Sequence, residues 1–300
     1  MSNMNDFQIL LYYKFVAIPD PEQFTADHLD YCKRLGLKGR ILIASEGING
    51  TVSGTVEQTE QYMRDLRANP LFSDIVFKID PAEGHAFTKM FVRHKQELVT
   101  LRYDQPLDPN TQTGQHLSPK DFHEYLQRDD VIVLDGRTDY EYDLGHFRNA
   151  IRPNIDSFKE FPEWIEEHMS EFKDRPILTY CTGGIRCEKL TGVMMDQGFN
   201  NVYQLDGGIV TYGKDADVQG RLFDGKCYVF DERISVKINH TDEDVIVGKC
   251  YHCNEPADTY INCGDDLCHR QHIVCEKCEE THHGYCSPAC EENDIARTHV

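Results

Sequence analysis

The run Ile177-Leu178-Thr179-Tyr180, followed at once by Cys181-Thr182-Gly183-Gly184-Ile185-Arg186, constrains this chain more than any other stretch. An apolar run without polar alternation reads as a strand buried on both faces, the habit of parallel sheets. Two adjacent glycines then let the backbone curl, and Cys187–Gln197 resumes at helical spacing. Strand, glycine loop and helix in succession place Cys181 at the carboxyl end of a parallel strand, where open α/β sheets hold their ligands. Converging loop N–H groups and a helix N-terminus add partial positive charge there, and Arg186 adds a full one. All three favour the thiolate, which is the reactive form of cysteine; in such settings a thiol falls to a pKa of about 3.5–7.5. Cys181 is therefore the candidate nucleophile and Arg186 its electrostatic partner. Thr182, Gly183, Gly184, Ile185 and Cys187 complete the loop. Cys187 either packs on the first helical turn or resolves an oxidised Cys181.

The surrounding pattern is that of an α/β domain over 118–217. Ser118-Pro119 opens a helix, with serine as cap and proline in the first turn. Val131–Leu134 and Val202–Leu205 are further buried-strand runs, and Glu163–Glu171 reads as a helix. Asp135 and Arg137 lie at the end of the first strand and are read as supporting ion-pair residues. Residues 118–213 resemble a rhodanese domain: Cys181–Arg186 matches that family's active-site loop, and Val133–Arg137, Glu141–Phe147 and Val202–Gly208 match its other segments. In that family the loop cysteine carries sulfur as a persulfide or performs other thiol chemistry. The arginine follows the cysteine by only five positions, a shorter loop than related phosphatases use, which disfavours phosphate as the ligand.

Upstream, 1–97 alternates strand and helix: Phe7–Val16, helix Pro21–Leu35, Arg40–Ala44, a turn at Glu46–Gly50, Gly50–Ser53, helix Val56–Ala68 and Ile75–Ile79. The turn is placed by Asn49-Gly50, a pair that accepts positive φ cheaply. The order β-α-β-β-α-β is the α+β ferredoxin-like split unit. Residues 98–117, with Pro106, Pro109, Gly114 and no period, read as a linker.

Eight of the 12 cysteines fall between Cys250 and Cys290, in the Cys-rich last region, 218–300, as four close pairs: Cys250/Cys253, Cys263/Cys268, Cys275/Cys278 and Cys286/Cys290. Four pairs suit two tetrahedral zinc ions, with two pairs each. Adjacent and interleaved pairings both satisfy the spacing. His252, His269, His272, His282 and His283 are spare ligands. Reduced cysteines packed together, or disulfides, are the alternatives. No open ligand position is expected, so the metal's role would be structural.

The net charge of −20 argues against bulk electrostatic binding of nucleic acid. It is uneven, however: 1–97 carries −2, 98–217 carries −10 and 218–300 carries −8. An anionic polymer would therefore meet the N-terminal domain, where Lys14, Arg40, Lys89, Arg93 and Lys95 are candidate phosphate partners. No apolar run reaches the length needed to span a bilayer. The opening MSNMNDFQIL lacks the features of a secretory signal. A cytoplasmic location with no membrane partner is expected.

The three-part order, with Ala44–Thr51, Val92–Thr100 and Cys181–Glu188, resembles the bacterial tRNA uridine hydroxylase family over essentially all 300 residues. The resemblance implies an oxidoreductase that hydroxylates the wobble uridine of the tRNA anticodon loop to 5-hydroxyuridine. Molecular oxygen would be co-substrate, the loop cysteine essential, and no DNA partner is expected. No flavin, haem or nucleotide motif is visible. The Cys181 loop alone is equally compatible with a sulfurtransferase that carries persulfide, and the flanking domains with a noncatalytic RNA- or protein-binding module.

Overall fold

The computed structural model describes residues 6–298. Met1–Asn5, within the stretch read above for a secretory signal, lie outside the described residues. The N-terminal domain comprises β1 (Phe7–Phe15), α1 (Pro21–Leu35), β2 (Lys38–Ala44), β3 (Gly47–Thr55), α2 (Val56–Ala68), β4 (Phe77–Ala82) and β5 (Met90–His94). Its sheet order is β4-β1-β3-β2-β5, antiparallel except for the β2–β5 pair. Asp20 caps α1, which ends on left-handed Gly36, and a Thr55/Gln58 capping box opens α2. Strand alternation sends Leu10, Tyr12, Ile41, Ile43, Ile48 and Val52 into one core with apolar residues of the helices. The opposite face carries Leu11 and Tyr13, Asn49 and Thr51, and Arg40 and Leu42. Register aligns them as two rows, Leu11–Thr51–Arg40 and Tyr13–Asn49–Leu42.

Two local expectations change. The β2–β3 turn is Ser45-Glu46, closed by the Ala44–Gly47 pair, so Asn49-Gly50 lies inside β3. Asn-Gly marks a turn only where the register leaves it unpaired, and Asn49 is paired on both sides, with Tyr13 and Leu42. β5 was not anticipated, because its pattern of one buried valine among exposed Phe91, Arg93 and His94 is that of a solvated edge.

The second domain holds β6 (Gln115–Leu117), α3 (Pro119–Leu126), β7 (Ile132–Asp135), α4 (Asp139–Leu144), β8 (Gly145–Phe147), α5 (Phe161–His168), β9 (Ile177–Tyr180), α6 (Ile185–Asp196), β10 (Val202–Leu205) and α7 (Gly208–Lys214). Its sheet β6-β10-β9-β7 is wholly parallel. One core packs Leu134, Ile177, Trp164, Leu190 and Val193 on one side, and another packs Phe122, Leu178, Tyr180, Ile209 and Tyr212 on the other. Residues 98–117 are not a free connector. Val99 and Leu101 are buried in the first of these cores and Gln115–Leu117 forms the sheet's edge strand. The prolines set the path of this segment without preventing its burial.

The chain then forms β11 (Phe223–Tyr228), β12 (Ser235–Lys237), the hairpin β13 (Thr259–Asn262) and β14 (Gln271–Val274), α8 (Glu276–Thr281) and α9 (Pro288–Thr298). β11 pairs with β8, and Tyr228, Tyr260, Ile273 and Val274 pack with Leu144 of α4. The cysteine-rich region is thereby fastened to the back of the parallel-sheet domain. Among the described residues no helix is long and apolar enough to cross a membrane.

Candidate active site and cysteine clusters

β9 delivers Cys181 to the mouth of the loop and α6 begins four residues later. Gly184 stands at φ +104°, where an L side chain is strained, and donates its N–H to the Cys181 sulfur at 3.2 Å. The Gly207-Gly208 pair backs the loop. A Cβ on Gly208 would come within 2.7 Å of the Cys181 carbonyl oxygen and the Gly184 nitrogen. The close approach lets Ile209 and Val210 donate to the carbonyls of Cys181 and Thr182.

Only 1% of the Cys181 surface is exposed, and that surface opens on a cavity. Burial pushes the thiol's pKa up. Against it work the hydrogen bond from the Cys187 thiol, the charge of Arg186 and the amides of Cys187 and Gly184, which together bring it down to about 5. The same coupling holds the Cys187 thiol far above the ordinary range: burial first, then the neighbouring sulfur. Cys187 is thus a protonated donor in contact with the thiolate. Arg186 is largely committed elsewhere. Its guanidinium grips Glu141 of α4 in a two-pronged pair, at 2.6 and 2.8 Å, and also reaches the Thr182 hydroxyl at 3.3 Å.

Asp135 and Arg137 are fully buried, and Arg137 forks onto Asp135 at 2.9 and 2.6 Å while also bonding the Gly145 carbonyl. They lie behind the loop and do not line the cavity. Asp135→Ala would strand a buried guanidinium. A loss of about 3–5 kcal/mol is expected, measurable by urea denaturation.

The cavity, of about 300 Å³, lies between the loop and the open face of the N-terminal sheet. Cys181, Gly183 and Ile185 line one side, and Leu11, Tyr13, Leu42, Asn49 and Thr51 the other, with Arg40 exposed among them. Phe87, Val99 and Phe230 close the apolar wall, and Phe230 remains 49% exposed. The side chain of Asn49 has no hydrogen-bond partner among the described residues, and Arg40 no carboxylate. The sheet is held there by Tyr13 donating to Glu188 at 2.8 Å, Lys189 pairing with Glu46 and Glu97, and Lys78 donating to the Gly183 carbonyl at 2.8 Å.

The other basic candidates divide. Lys14 is paired with Asp74. Arg93 stacks over exposed Phe91, 5.2 Å from the ring centroid, on the edge strand; Phe91 registers beside Arg40 and Arg93 beside Leu42, so the pocket-facing rows run on to solvent. Lys89 and Lys95 flank that strand and are exposed. Tyr13, Asn49, Thr51, Lys78, Phe87, Glu141 and Phe230 escaped the sequence reading as site residues. Glu141 carried a signal as part of the rhodanese-like segment, and Asn49 and Thr51 as part of the Ala44–Thr51 motif.

The eight tail cysteines gather as two interleaved groups, Cys250/Cys253/Cys275/Cys278 and Cys263/Cys268/Cys286/Cys290, with the sulfurs of each within 4.8 Å of one another. Close pairs stand at 3.6–3.7 Å. A disulfide requires about 2.05 Å. A tetrahedral shell of sulfurs at about 2.3 Å has edges of about 3.8 Å, so the spacing fits a bound metal. None of the histidines belongs to either group.

A low-pKa thiolate in a glycine loop at the carboxyl end of a parallel strand defines a rhodanese-type protein, and residues 118–215 match the rhodanese-like domain. Residues 7–98 match the UPF0176 acylphosphatase-like domain and 224–291 the rhodanese C-terminal domain. The chain is 59% identical to the tRNA uridine(34) hydroxylase of Bacillus velezensis, over 96% of this chain and 89% of that one. It is 59% identical to that of Bacillus licheniformis (95% and 88%) and 54% identical to that of Enterococcus faecalis (97% and 92%). The chain belongs to the tRNA uridine(34) hydroxylase family.

Proposed function

We propose that this chain hydroxylates the wobble uridine of tRNA to 5-hydroxyuridine with molecular oxygen as co-substrate, and that Cys181 is the covalent nucleophile. The observation that carries the reading is the cavity itself. A thiolate faces an apolar slot large enough for a pyrimidine, and the opposite wall offers an uncommitted amide on Asn49.

Addition of the thiolate at C6 of uracil makes C5 nucleophilic toward oxygen. The C5 hydroperoxide so formed would need an external two-electron reductant to release its outer oxygen as water. Loss of the C5 proton with cleavage of the C6–S bond then frees the thiol and leaves 5-hydroxyuracil. The N–H of Gly184 already donates to the sulfur and supports its charge before attack. An anticodon-loop base is unpaired and can be splayed into such a slot, with Phe87 and Phe230 as stacking walls. Arg40 at the slot and the Phe91/Arg93 pair beyond it suit the adjoining phosphates and bases. Lys89 and Lys95 would add charge along that edge. This concentrates RNA contact on the least acidic third of the chain, which reconciles a polyanionic substrate with a net charge of −20.

Zinc is the metal best suited to two all-thiolate tetrahedral groups, which leave no open position for catalysis. We place the enzyme in the cytoplasm, where its tRNA is found.

The test is a reaction of purified protein with unmodified tRNA in air, followed by nucleoside analysis. 5-Hydroxyuridine at position 34, lost under anaerobiosis, is expected. Thiolated nucleosides in its place would identify a sulfurtransferase instead. Within that assay Asn49→Ala is expected to lower kcat/KM about 10–100-fold, the cost of about 1–3 kcal/mol for a lost buried polar contact. Unchanged kinetics would remove Asn49 from the base site.

A further inference from the structure

The groups of its own domain that lower the Cys181 thiol are the Cys187 donor, the charge of Arg186 and the loop amides, and the two arginines nearby are each paired with a carboxylate. Arg186 is neutralised by the two-pronged Glu141 contact, and Arg137 by Asp135. Cys187 and Tyr13 present neutral groups, Glu188 is an anion shared among Tyr13, His116 and Thr113, and Cys227 lies behind Thr182 as a buried thiol. Two cations of the N-terminal domain without a carboxylate partner among the described residues remain, Arg40 across the cavity and Lys78, on β4, against the loop itself. In register Lys78 stands beside Leu11, on the face that meets the loop. Its ammonium donates to the Gly183 carbonyl at 2.8 Å, sits 5.0 Å from the centre of the Tyr13 ring, and has no carboxylate partner among the described residues. Asp206, Lys214 and Glu188 face it at longer range.

We propose that Lys78 is a positioning residue for the reactive thiol: it clamps the Gly183 carbonyl so that the following N–H, that of Gly184, is aimed at the Cys181 sulfur, and it adds an unmatched positive charge beside the loop. The Gly183 carbonyl and the Gly184 N–H belong to one planar peptide unit, so a bond to the oxygen fixes the direction of the N–H. The Gly184 N–H to sulfur contact of 3.2 Å is the other end of that lever. Nucleophile activation therefore depends on the N-terminal domain being docked, and this domain is part of the thiol site as well as an RNA contact. Burial holds the Lys78 ammonium below the usual lysine range, at about 8, and the nearby Cys181 thiolate works against that fall. The side chain is thus still charged across the pH range in which the thiol ionises.

The inference rests on Cys181 as the working thiol but not on uridine as the substrate, and its test needs no tRNA. The rate of alkylation of Cys181 by iodoacetamide is followed against pH in the full chain by peptide mass spectrometry. Lys78→Met is expected to move the midpoint of the profile up by about one unit or more, the size of shift a nearby opposite charge produces. Lys78→Arg keeps the charge and is expected to restore most of that shift. Should the methionine variant fail to fold, Lys78→Gln retains an N–H donor and removes only the charge, with an upward shift again expected. A midpoint unchanged in the folded neutral variant, or an arginine variant displaced as far as methionine, overturns the proposal. A normal shift combined with no hydroxylated nucleoside would leave the clamp standing and overturn the substrate instead.

Discussion

Cys181→Ser is expected to reduce 5-hydroxyuridine formation by about 10³-fold or more, as removal of a covalent nucleophile does elsewhere, while the protein stays folded. Serine is close to cysteine in size, so the buried position is filled without a cavity. What changes is ionisation. At neutral pH a serine hydroxyl stays protonated, and its oxygen cannot offer the charge that the Gly184 amide and the Cys187 thiol stabilise on sulfur. The pH behaviour of the wild type supplies the second check. With a thiol pKa of about 5, activity and alkylation are expected to fall only as the pH drops through that region and to be flat through neutrality. The sign for stability follows by linkage. The folded pKa lies below that of an unfolded thiol, near 8.5. Stability from this group therefore grows as the pH rises from about 5 to about 8.5, is fully present above that, and is lost toward acid. Cys181→Ser should flatten that part of the stability profile. A serine variant with wild-type turnover would end the nucleophile assignment.

The loop was legible because its chemistry is local. Strand, glycines, cysteine, arginine and helix follow one another in sequence, and each step has one physical meaning. The three strands of the parallel sheet that stand out as apolar runs were legible for the same reason. What sequence could not supply was the other wall of the pocket. Asn49, Thr51, Leu11 and Lys78 become site residues only through the register of β1, β3 and β4 and through docking of that sheet on α6. An alternation of pocket-facing and core-facing residues along a strand names a face, but not what the face meets. The Asn49-Gly50 pair shows the cost of reading composition without register: a turn signal by residue type, it is a paired strand segment in which the asparagine lines the cavity. The pairing of Arg186 was out of reach likewise, because the arginine was visible and its buried carboxylate partner, Glu141, lies 45 residues upstream. In the tail, spacing alone left adjacent and interleaved pairings equal. The β13–β14 hairpin, which carries Cys263 and Cys275 at its ends, decides for the interleaved one.

That interleaving makes metal removal the other large effect. Each group joins two pairs with a pair of the other group between them, so neither can form without bringing the region's two halves together. The core here is small: Tyr228, Tyr260, Ile273 and Val274 against Leu144. Free thiols at these distances would hold little together, whereas structural zinc contributes about 10–16 kcal/mol per site in peptide systems. Purified protein is expected to carry two zinc ions per chain by elemental analysis. Cys278→Ser is expected to carry about one, because Cys263, Cys268, Cys286 and Cys290 do not share it. Chelation at both sites should unfold 250–290, seen as loss of amide protection by hydrogen exchange. The damage should not stop there. Leu144 ends α4, the helix that holds Glu141 against Arg186, so a loosened tail frees that carboxylate to move and the Cys181 loop loses a brace. Hydroxylation by chelated protein is therefore expected to fall about tenfold or more, in line with about 1.4 kcal/mol of lost positioning, and to return when zinc is restored. Full amide protection and full activity after verified metal loss would show that the sulfurs pack without an ion.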